Sequence, residues 1–400
     1  MPVAIDWAEV RATWTASGRT SATIAVYLYW ARRFVAFCVA RGLDPIAHLT
    51  PEVVEQCVAH PARPRRRRGS GPGRVPFNSV RALSYALAAM GHAVPSWQKR
   101  IDAPGPSGLV AEFVGFRVRH RGVAPSTTPG DIRVATMFLG FLRTRDRRPS
   151  TLRIVDIDAF VIWLAARRKL KTVAGVCSTL RAFLRFLHAT GRIHHDLSVH
   201  VVAPRVRSVD RPPRALPWDD VRRILRAIDV RRAPGRRDFA LFLMMVTYGM
   251  GAGEIIGLQL DDIDWRAQVL HVRRPKTGVA TALPLLDPIA QALATYIRLE
   301  RPSHAPVRAV FVSHGLPHRR LSASSAIRHR LDKYAAIAGV HGRFLGTHVF
   351  RHTHATRQIE HGVPAKIVGD ILGHRHPSST SFYVRGAIGG LRAIALPVPR

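Results

Sequence analysis

Cysteine is nearly absent from this chain of 400 residues, which contains only Cys38, Cys57 and Cys177. None forms a CxxC pair, and each falls in an apolar stretch with helical spacing, so neither a disulfide framework nor a zinc pattern is predicted. Long apolar runs are also lacking, and the opening MPVAIDWAEVRATW does not resemble a secretory signal. We therefore expect three reduced core cysteines in a cytoplasmic protein.

Acidic residues are scarce as well: 26 Asp and Glu face 61 Lys and Arg, for a net charge of +35. Such an excess along the whole chain predicts a polyanionic partner, and nucleic acid would make the protein nucleoid-associated. A GC-rich genome would explain the preference for Arg over Lys, but not the shortage of acids. Because 47% of the residues are hydrophobic, packed cores rather than a disordered basic tail are expected.

Proline, glycine and arginine cluster in two segments, 61–76 and 203–217, with a weaker break at 102–107. The first segment is expected to be an exposed loop whose arginines, Arg65, Arg66, Arg67 and Arg68, either follow a DNA backbone or are simply solvated. The second is expected to be an extended strap between folded parts. The predicted domains are 1–102, 106–205 and 217–400, with a linker at 206–216.

Two similar helical patterns precede the strap. In each, a helix with an F-x-x-F pair (Phe34 and Phe37; Phe138 and Phe141) leads to a turn, a second helix and a final amphipathic helix, at 79–90 and 174–187. A tandem pair of small helical modules would produce this pattern, but so would any two small bundles.

The pattern of apolar and polar residues changes after the strap. Helices are predicted from 217, from 237, and at 322–339, 348–361 and 364–372, and Gly362 is expected to terminate the helix at 348–361. Two strands are predicted around the turn PKTG at 275–278, and a short strand at 311–313. This part of the chain is therefore expected to be mainly α with a small sheet.

The residues that carry chemistry lie near the carboxyl end: THVFRHTHAT at 347–356, LGH at 372–374, and Tyr383. Imidazoles, a guanidinium and a phenol suit attack of tyrosine on a phosphodiester, with cationic groups stabilising the charge on phosphorus. Histidines at 348, 352 and 354 could instead suggest a metal site, although no carboxylate or cysteine nearby completes a ligand set. Alone, Tyr383 would be read as a packing residue.

A family resemblance rests on four pieces: TYGMGAGEIIGLQLDDID at 247–264, the hairpin around Lys276, HVFR at 348–351, and LGH at 372–374 with Tyr383 nine residues beyond His374. In order and spacing, residues 217–385 resemble the catalytic domain of the tyrosine recombinase (phage integrase) family. Residues 106–205 resemble its core-binding domain, and 1–100 an extra DNA-binding domain. The implied fold is mainly α, with two all-helical (SAM-like) DNA-binding modules before a mixed α/β catalytic domain with a small antiparallel sheet.

The resemblance also implies roles. Tyr383 would be the nucleophile, forming a 3′-phosphotyrosine without any cofactor. Arg351, His348 and His374 would contact the phosphate or transfer a proton, Lys276 would protonate the leaving 5′-oxygen, and Glu254 would orient the site. Without the resemblance Lys276 would be an ordinary turn lysine. DNA contacts are also predicted for Arg273 and Arg274. The implied partner is double-stranded DNA, bound by a homo- or hetero-tetramer of recombinase subunits, in a mobile element.

One position departs from the family pattern G-L-R-x-x-E. The chain reads GMGAGE at 249–254, so Gly251 replaces the first active-site arginine. Losing one such contact typically costs about 3–4 kcal/mol. The protein could be a weak or inactive DNA-binding accessory subunit, a partner subunit could complete the site, or another arginine (Arg266, Arg273 or Arg274) could reach into it. A type IB topoisomerase-like relaxase would share the chemistry.

Overall fold

The computed structural model describes residues 5–59, 74–97, 108–205, 215–274, 278, 280–303, 305–321, 324–341, 345–373, 380 and 383. Compactness divides the chain into two units, residues 99–212 and residues 1–98 with 213–400. The helices are α1 Trp7–Ala16, α2 Ser21–Val39, α3 Pro51–Ala59, α4 Arg74–Ala89, α5 Leu109–Arg121, α6 Thr128–Arg143, α7 Ile154–Ala165, α8 Leu170–Ala189, α9 Trp218–Arg226, α10 Gly235–Tyr248, α11 Ala252–Gly257, α12 Asp287–Leu299, α13 Ser324–Ile337, α14 Val349–Glu360 and α15 Ala365–Leu372. The strands are β1 Ile263–Asp264, β2 Val269–Arg273 and β3 Ala280–Pro284.

Helices α1–α4 enclose the first hydrophobic core. The carboxylate of Asp6 accepts hydrogen bonds from the backbone amides of Ala8 and Glu9 and so caps the start of α1. The indole of Trp14 is buried and donates to the carbonyl of Ala82, which ties α1 to α4. The cysteines Cys38 and Cys57 are free and buried in this core, as expected.

Helix α2 is long and apolar enough to cross a membrane by length and composition, contrary to the expectation that the chain has no such run. Its buried residues nevertheless recur at helical spacing and belong to the core of α1–α4; they are Ile24, Leu28, Ala31, Phe34 and Cys38. This is the pattern of an amphipathic core helix.

Helices α5–α8 enclose a second core, which is rich in phenylalanine. The rings of Phe138 and Phe160 meet edge to face at 5.0 Å, as do those of Phe113 and Phe183. Both F-x-x-F pairs predicted from the sequence thus lie on amphipathic helices, α2 and α6.

The third core is formed by α9–α14 and the antiparallel sheet β1-β2-β3. Strand β2 pairs with both neighbours, and Leu270 and Val272 on its inward face are buried. The strand predicted at 311–313 is wrong: Val312 forms an isolated bridge with Arg320, and no second pairing extends this bridge into a ladder among the described residues. The remaining predicted helices and the hairpin strands are present, so the mainly α fold with a small sheet is confirmed.

Candidate active site

Helix α14 positions the HVFR segment. Val349 and Phe350 are buried against the third core, and this orientation fixes the face on which the polar residues lie. His348 is the N-cap residue of the helix and is exposed, whereas Arg351, one turn later on the same face, is only 12% exposed. The pair H-x-x-R therefore presents an imidazole and a guanidinium side by side.

Arg351 is held by three separate segments. Its Nη1 donates to the carbonyl of Gly249 at 3.1 Å and lies 3.4 Å from both carboxylate oxygens of Glu254. Its Nη2 donates to the carbonyl of Leu372 at the end of α15. These partners restrain the guanidinium fork, as bidentate phosphate binding requires.

Glu254 is shared between local structure and the site. It lies in the first turn of α11, and its Oε2 accepts the amide of Gly251 at 2.8 Å. The same carboxylate lies beside Arg351, so the start of α11 and the arginine are fixed together. Glu254 thus contacts both Gly251 and Arg351, and its orienting role stays a prediction.

Gly249 lets side chains of α14 and α15 approach the end of α10 closely. It ends α10 in the left-handed region, with φ of +63°, and a Cβ there would lie 2.7 Å from Leu372 Cδ2 and 2.8 Å from His354 Cδ2. Only glycine combines this backbone conformation with this contact.

Tyr383 is buried, with 6% of its surface exposed, and packs with Ala355, Val368 and Leu372 from α14 and α15. Its ring centroid lies 5.3 Å from that of His352. Burial raises the pKa of the Tyr383 phenol, while the charge of Arg351 and a hydrogen bond with it act in the opposite direction. The structure therefore brings Tyr383 and Arg351 together.

The two arginines at the end of β2 lie in opposite environments, although both are predicted to contact DNA. The side chain of Arg273 is 76% exposed and donates to Asp262 at 2.9 Å. That of Arg274 is 5% exposed, and its Nη1 lies 3.7 Å from Glu254 Oε1. Burial lowers the pKa of Arg274, which the charge of Glu254 raises and that of Arg351 lowers. Arg274 therefore belongs to the same cluster as Arg351.

Gly251 opens toward this cluster. A Cβ added there would lie 3.9 Å from the Oε2 of Glu254 and 3.9 Å from the Cε1 of His348, which are ordinary contact distances. With φ of −78°, the backbone suits any residue. The sequence position of the missing arginine thus coincides with a place from which a side chain would enter the site.

Some predicted site residues lie outside the described residues, namely Lys276, His374, Arg65, Arg66, Arg67 and Arg68. Arg266 is exposed after β1, where its backbone amide donates to Asp264 at 3.1 Å. Within the described part of the chain, no three His, Cys, Asp or Glu residues are grouped to hold a metal ion. The residues brought together are Tyr383, Arg351, His348, Glu254 and, as an addition to the predicted catalytic set, Arg274.

The chain combines a helical fold and a small sheet with a buried tyrosine beside the arginine of H-x-x-R. This combination is typical of enzymes that cleave and rejoin DNA, and comparison with known proteins identifies the family. The phage integrase family matches residues 214–388. The chain is 30% identical over 399 residues to Putative integrase/recombinase y4rF of Sinorhizobium fredii (strain NBRC 101917 / NGR234), covering 96% of this chain and 88% of that protein. The chain therefore belongs to the phage integrase family, that of the tyrosine recombinases.

Solved structures share the fold. A lambda integrase tetramer bound to a Holliday junction superimposes with a TM-score of 0.55 at 18% identity, covering 79% of this chain and 88% of that one. The Tn1549 transposon integrase, in complex with circular intermediate DNA, gives 0.51 at 19% identity, covering 71% of this chain and 99% of that one. Both share the mainly helical fold described above.

Proposed function

We propose that the chain is a site-specific recombinase or integrase of a mobile element, which cleaves and rejoins double-stranded DNA through a 3′-phosphotyrosine. The observation that carries this proposal is the burial of Tyr383 beside Arg351, within the family's catalytic region. The lambda and Tn1549 integrases are bound to DNA in their solved complexes. By analogy we propose a homo- or hetero-tetramer on DNA, working in the cytoplasm at the nucleoid.

In the proposed reaction the Tyr383 oxygen attacks phosphorus, the new P–O bond forms, and the bond to the 5′-oxygen breaks. The phenol must lose a proton, because burial keeps it neutral, and the leaving oxygen must gain one. We propose that Lys276 donates the proton to the leaving oxygen, and that His348 or solvent accepts the proton of the phenol. Arg351 and His374 stabilise the charge that builds on the non-bridging oxygens. The phosphoester bond to tyrosine conserves the bond energy, so no cofactor is needed.

The test uses DNA that traps the intermediate. The recombination site is first selected from a random duplex library by a Tyr383→Phe chain, which binds but cannot cleave. The selected site, nicked next to the cleavage point, then loses a short fragment on cleavage and cannot be resealed. We expect a covalent adduct with the wild-type chain and none with Tyr383→Phe; equal adduct with both chains would contradict the proposal.

A second function is favoured by one observation, the glycine at position 251. A chain that lacks the first phosphate-binding arginine could act as a DNA-binding accessory subunit beside a competent recombinase. Tight, site-specific binding by the wild-type chain without any adduct would identify this role.

A further inference from the structure

We infer that Arg274 provides the second phosphate-binding guanidinium in place of the arginine absent at position 251. The inference rests on the proposed function and selects one of the three arginines that the sequence left open. Four features carry it: the register of β2, the hydrogen bonds of the guanidinium, the charge of the cluster, and the glycine against which the side chain packs.

The register of β2 directs Arg274 inward. Burial alternates along the strand, with Leu270 and Val272 buried and His271 and Arg273 exposed. Side chains two apart share a face, so position 274 continues the inward row. An apolar residue would be the ordinary occupant of that position, yet the chain places a guanidinium there that is 5% exposed.

The guanidinium of Arg274 is only partly satisfied by the protein. Its Nη2 donates to the carbonyl of Ile371, but its Nε and Nη1 are buried without a hydrogen-bond partner within the part of the chain that the structure describes. Such buried donors typically cost about 1–3 kcal/mol each. A phosphate oxygen would accept from them and remove this cost.

The charge of the cluster also favours an anion. Arg274 and Arg351 share the single carboxylate of Glu254, at 3.7 and 3.4 Å. Two guanidiniums and one carboxylate leave an excess positive charge in a largely dehydrated place. A scissile phosphate, which carries one negative charge, would balance it.

Arg274 lies beside the same carboxylate that Gly251 faces. Gly251 and Arg274 meet the two oxygens of the same carboxylate, because the amide of Gly251 donates to Oε2 and Arg274 lies beside Oε1. On the other side, Gly373 has φ of +66°, and a Cβ there would lie 2.5 Å from Arg274 Cδ. A glycine is thus required where Arg274 passes, directly before His374 in the sequence.

A purely structural role, anchoring the end of α15 through Ile371, is the competing explanation. Two substrates separate the roles: the nicked site with an ordinary scissile phosphate, and the same duplex with a methylphosphonate that replaces one charged non-bridging oxygen by a neutral methyl group. A guanidinium that neutralises this oxygen is needed only for the first substrate, whereas a structural anchor is needed for both.

We expect Arg274→Ala to slow adduct formation on the phosphate by about 10²- to 10³-fold relative to wild type. On the methylphosphonate diastereomer that lacks the contacted oxygen, the variant should react as fast as wild type. An equal defect on both diastereomers and on the phosphate, or no defect on the phosphate, would overturn the inference. Because each comparison uses one folded variant on several substrates, a general loss of folded protein does not imitate the result.

Restoring the arginine of the family pattern at position 251 provides a second test. Gly251→Arg in the Arg274→Ala background should recover at least about tenfold of the lost rate, since position 251 opens toward the same carboxylate. Arg308→Ala, which removes an exposed guanidinium paired with Asp261, is the matched control and should retain the wild-type rate. No recovery by Gly251→Arg would argue that the two positions do not serve the same oxygen.

These outcomes also separate the inference from the proposed function. A wild-type adduct combined with an unaffected Arg274→Ala chain overturns the inference alone. Absence of any wild-type adduct on the selected site overturns the proposed function and the inference together.

Discussion

The catalytic region contains two buried arginine clusters that differ in how their charges are satisfied. In the structural cluster, Asp238 accepts from Arg237 at 2.9 Å, from Arg330 at 2.8 Å and from the hydroxyl of Tyr334 at 2.9 Å. Arg237 also donates to the carbonyl of Val312 at 2.9 Å, so all its nitrogens are bonded. This cluster joins α10 to α13; Nε of Arg330 lacks a hydrogen-bond partner within the described residues, but the Arg330 side chain is 25% exposed.

The site cluster, formed by Glu254, Arg274 and Arg351, has the same ratio of two arginines to one acid, but two nitrogens of Arg274 lack acceptors among the described residues. Burial of charge is therefore common to both clusters, and the two most buried arginines differ: every nitrogen of Arg237 has an acceptor, whereas Nε and Nη1 of Arg274 have none among the described residues. A buried arginine with all its acceptors stabilises the fold, whereas one with unused donors is arranged for a ligand.

The largest expected effect is on the structural cluster. Arg237→Met should lower the free energy of unfolding by about 3–5 kcal/mol, because Asp238 would keep a buried charge with fewer partners. Hydrogen exchange of the α10 amides reports this free energy for the catalytic region. Arg236→Met, on the neighbouring and less buried residue, is the control. A loss as small as the control's would refute the structural role of Arg237.

In the site cluster, Glu254→Gln should slow adduct formation by about 10²-fold, since Arg351 would lose the carboxylate that orients it. As a positioning effect, it should leave DNA affinity and its salt dependence unchanged. Asp261→Asn removes an exposed acid of the same region and serves as the control. A parallel fall in affinity would show that Glu254 acts on DNA binding instead.

His354, next to the site cluster, should make stability sensitive to acid. Burial lowers its pKa, the hydrogen bond to Val246 raises it, and the charge of Arg351 lowers it. The unfolded chain then binds the proton more readily, so this stabilisation is complete above about pH 6.5 and is lost as pH falls toward the lower folded pKa, with a slope of at most about 1.4 kcal/mol per pH unit.

The variant His354→Asn keeps a donor near the Val246 carbonyl and should show a shallower fall in the free energy of unfolding between about pH 7 and pH 5. His271→Asn, on an exposed position of β2, should behave as wild type. Identical slopes for wild type and His354→Asn would exclude the buried imidazole as the source.

The smallest expected change concerns the stability of Arg274→Met. Removing a guanidinium that is repelled by Arg351 and only partly bonded should leave the free energy of unfolding within about 1 kcal/mol of wild type, or raise it. Denaturant unfolding of Arg274→Met beside Arg237→Met gives the sharpest contrast between the clusters. Comparable destabilisation of both variants would mean that Arg274 is a structural residue.

Periodicity predicted the helices of the catalytic region closely. Helix α14 begins at Val349 and α15 ends at Leu372, within a residue of expectation, because glycines and buried apolar positions mark their ends. The short strand at 311–313 failed because an apolar triplet predicts burial but not a pairing partner.

Within the site, Arg351 and Glu254 were both expected from the family resemblance, and the structure places them in contact; their roles in the reaction stay predictions. Arg274 was expected to contact DNA and was one of three arginines that could reach into the site, but its burial was not predicted. The alternation of apolar and polar residues along VLHVRR at 269–274 could have predicted this burial, because it places Arg274 on the same face as Leu270 and Val272. Which acid an inward arginine meets depends on tertiary packing, which a local pattern does not specify.

Identification of the linked residue tests the central claim most directly. The adduct trapped on the nicked site would be digested with protease and nuclease, and the modified peptide sequenced by mass spectrometry. We predict a nucleotide joined through its 3′-phosphate to Tyr383, together with a released strand that has a free 5′-hydroxyl. Attachment to any other side chain, or through a 5′-phosphate, would contradict the account.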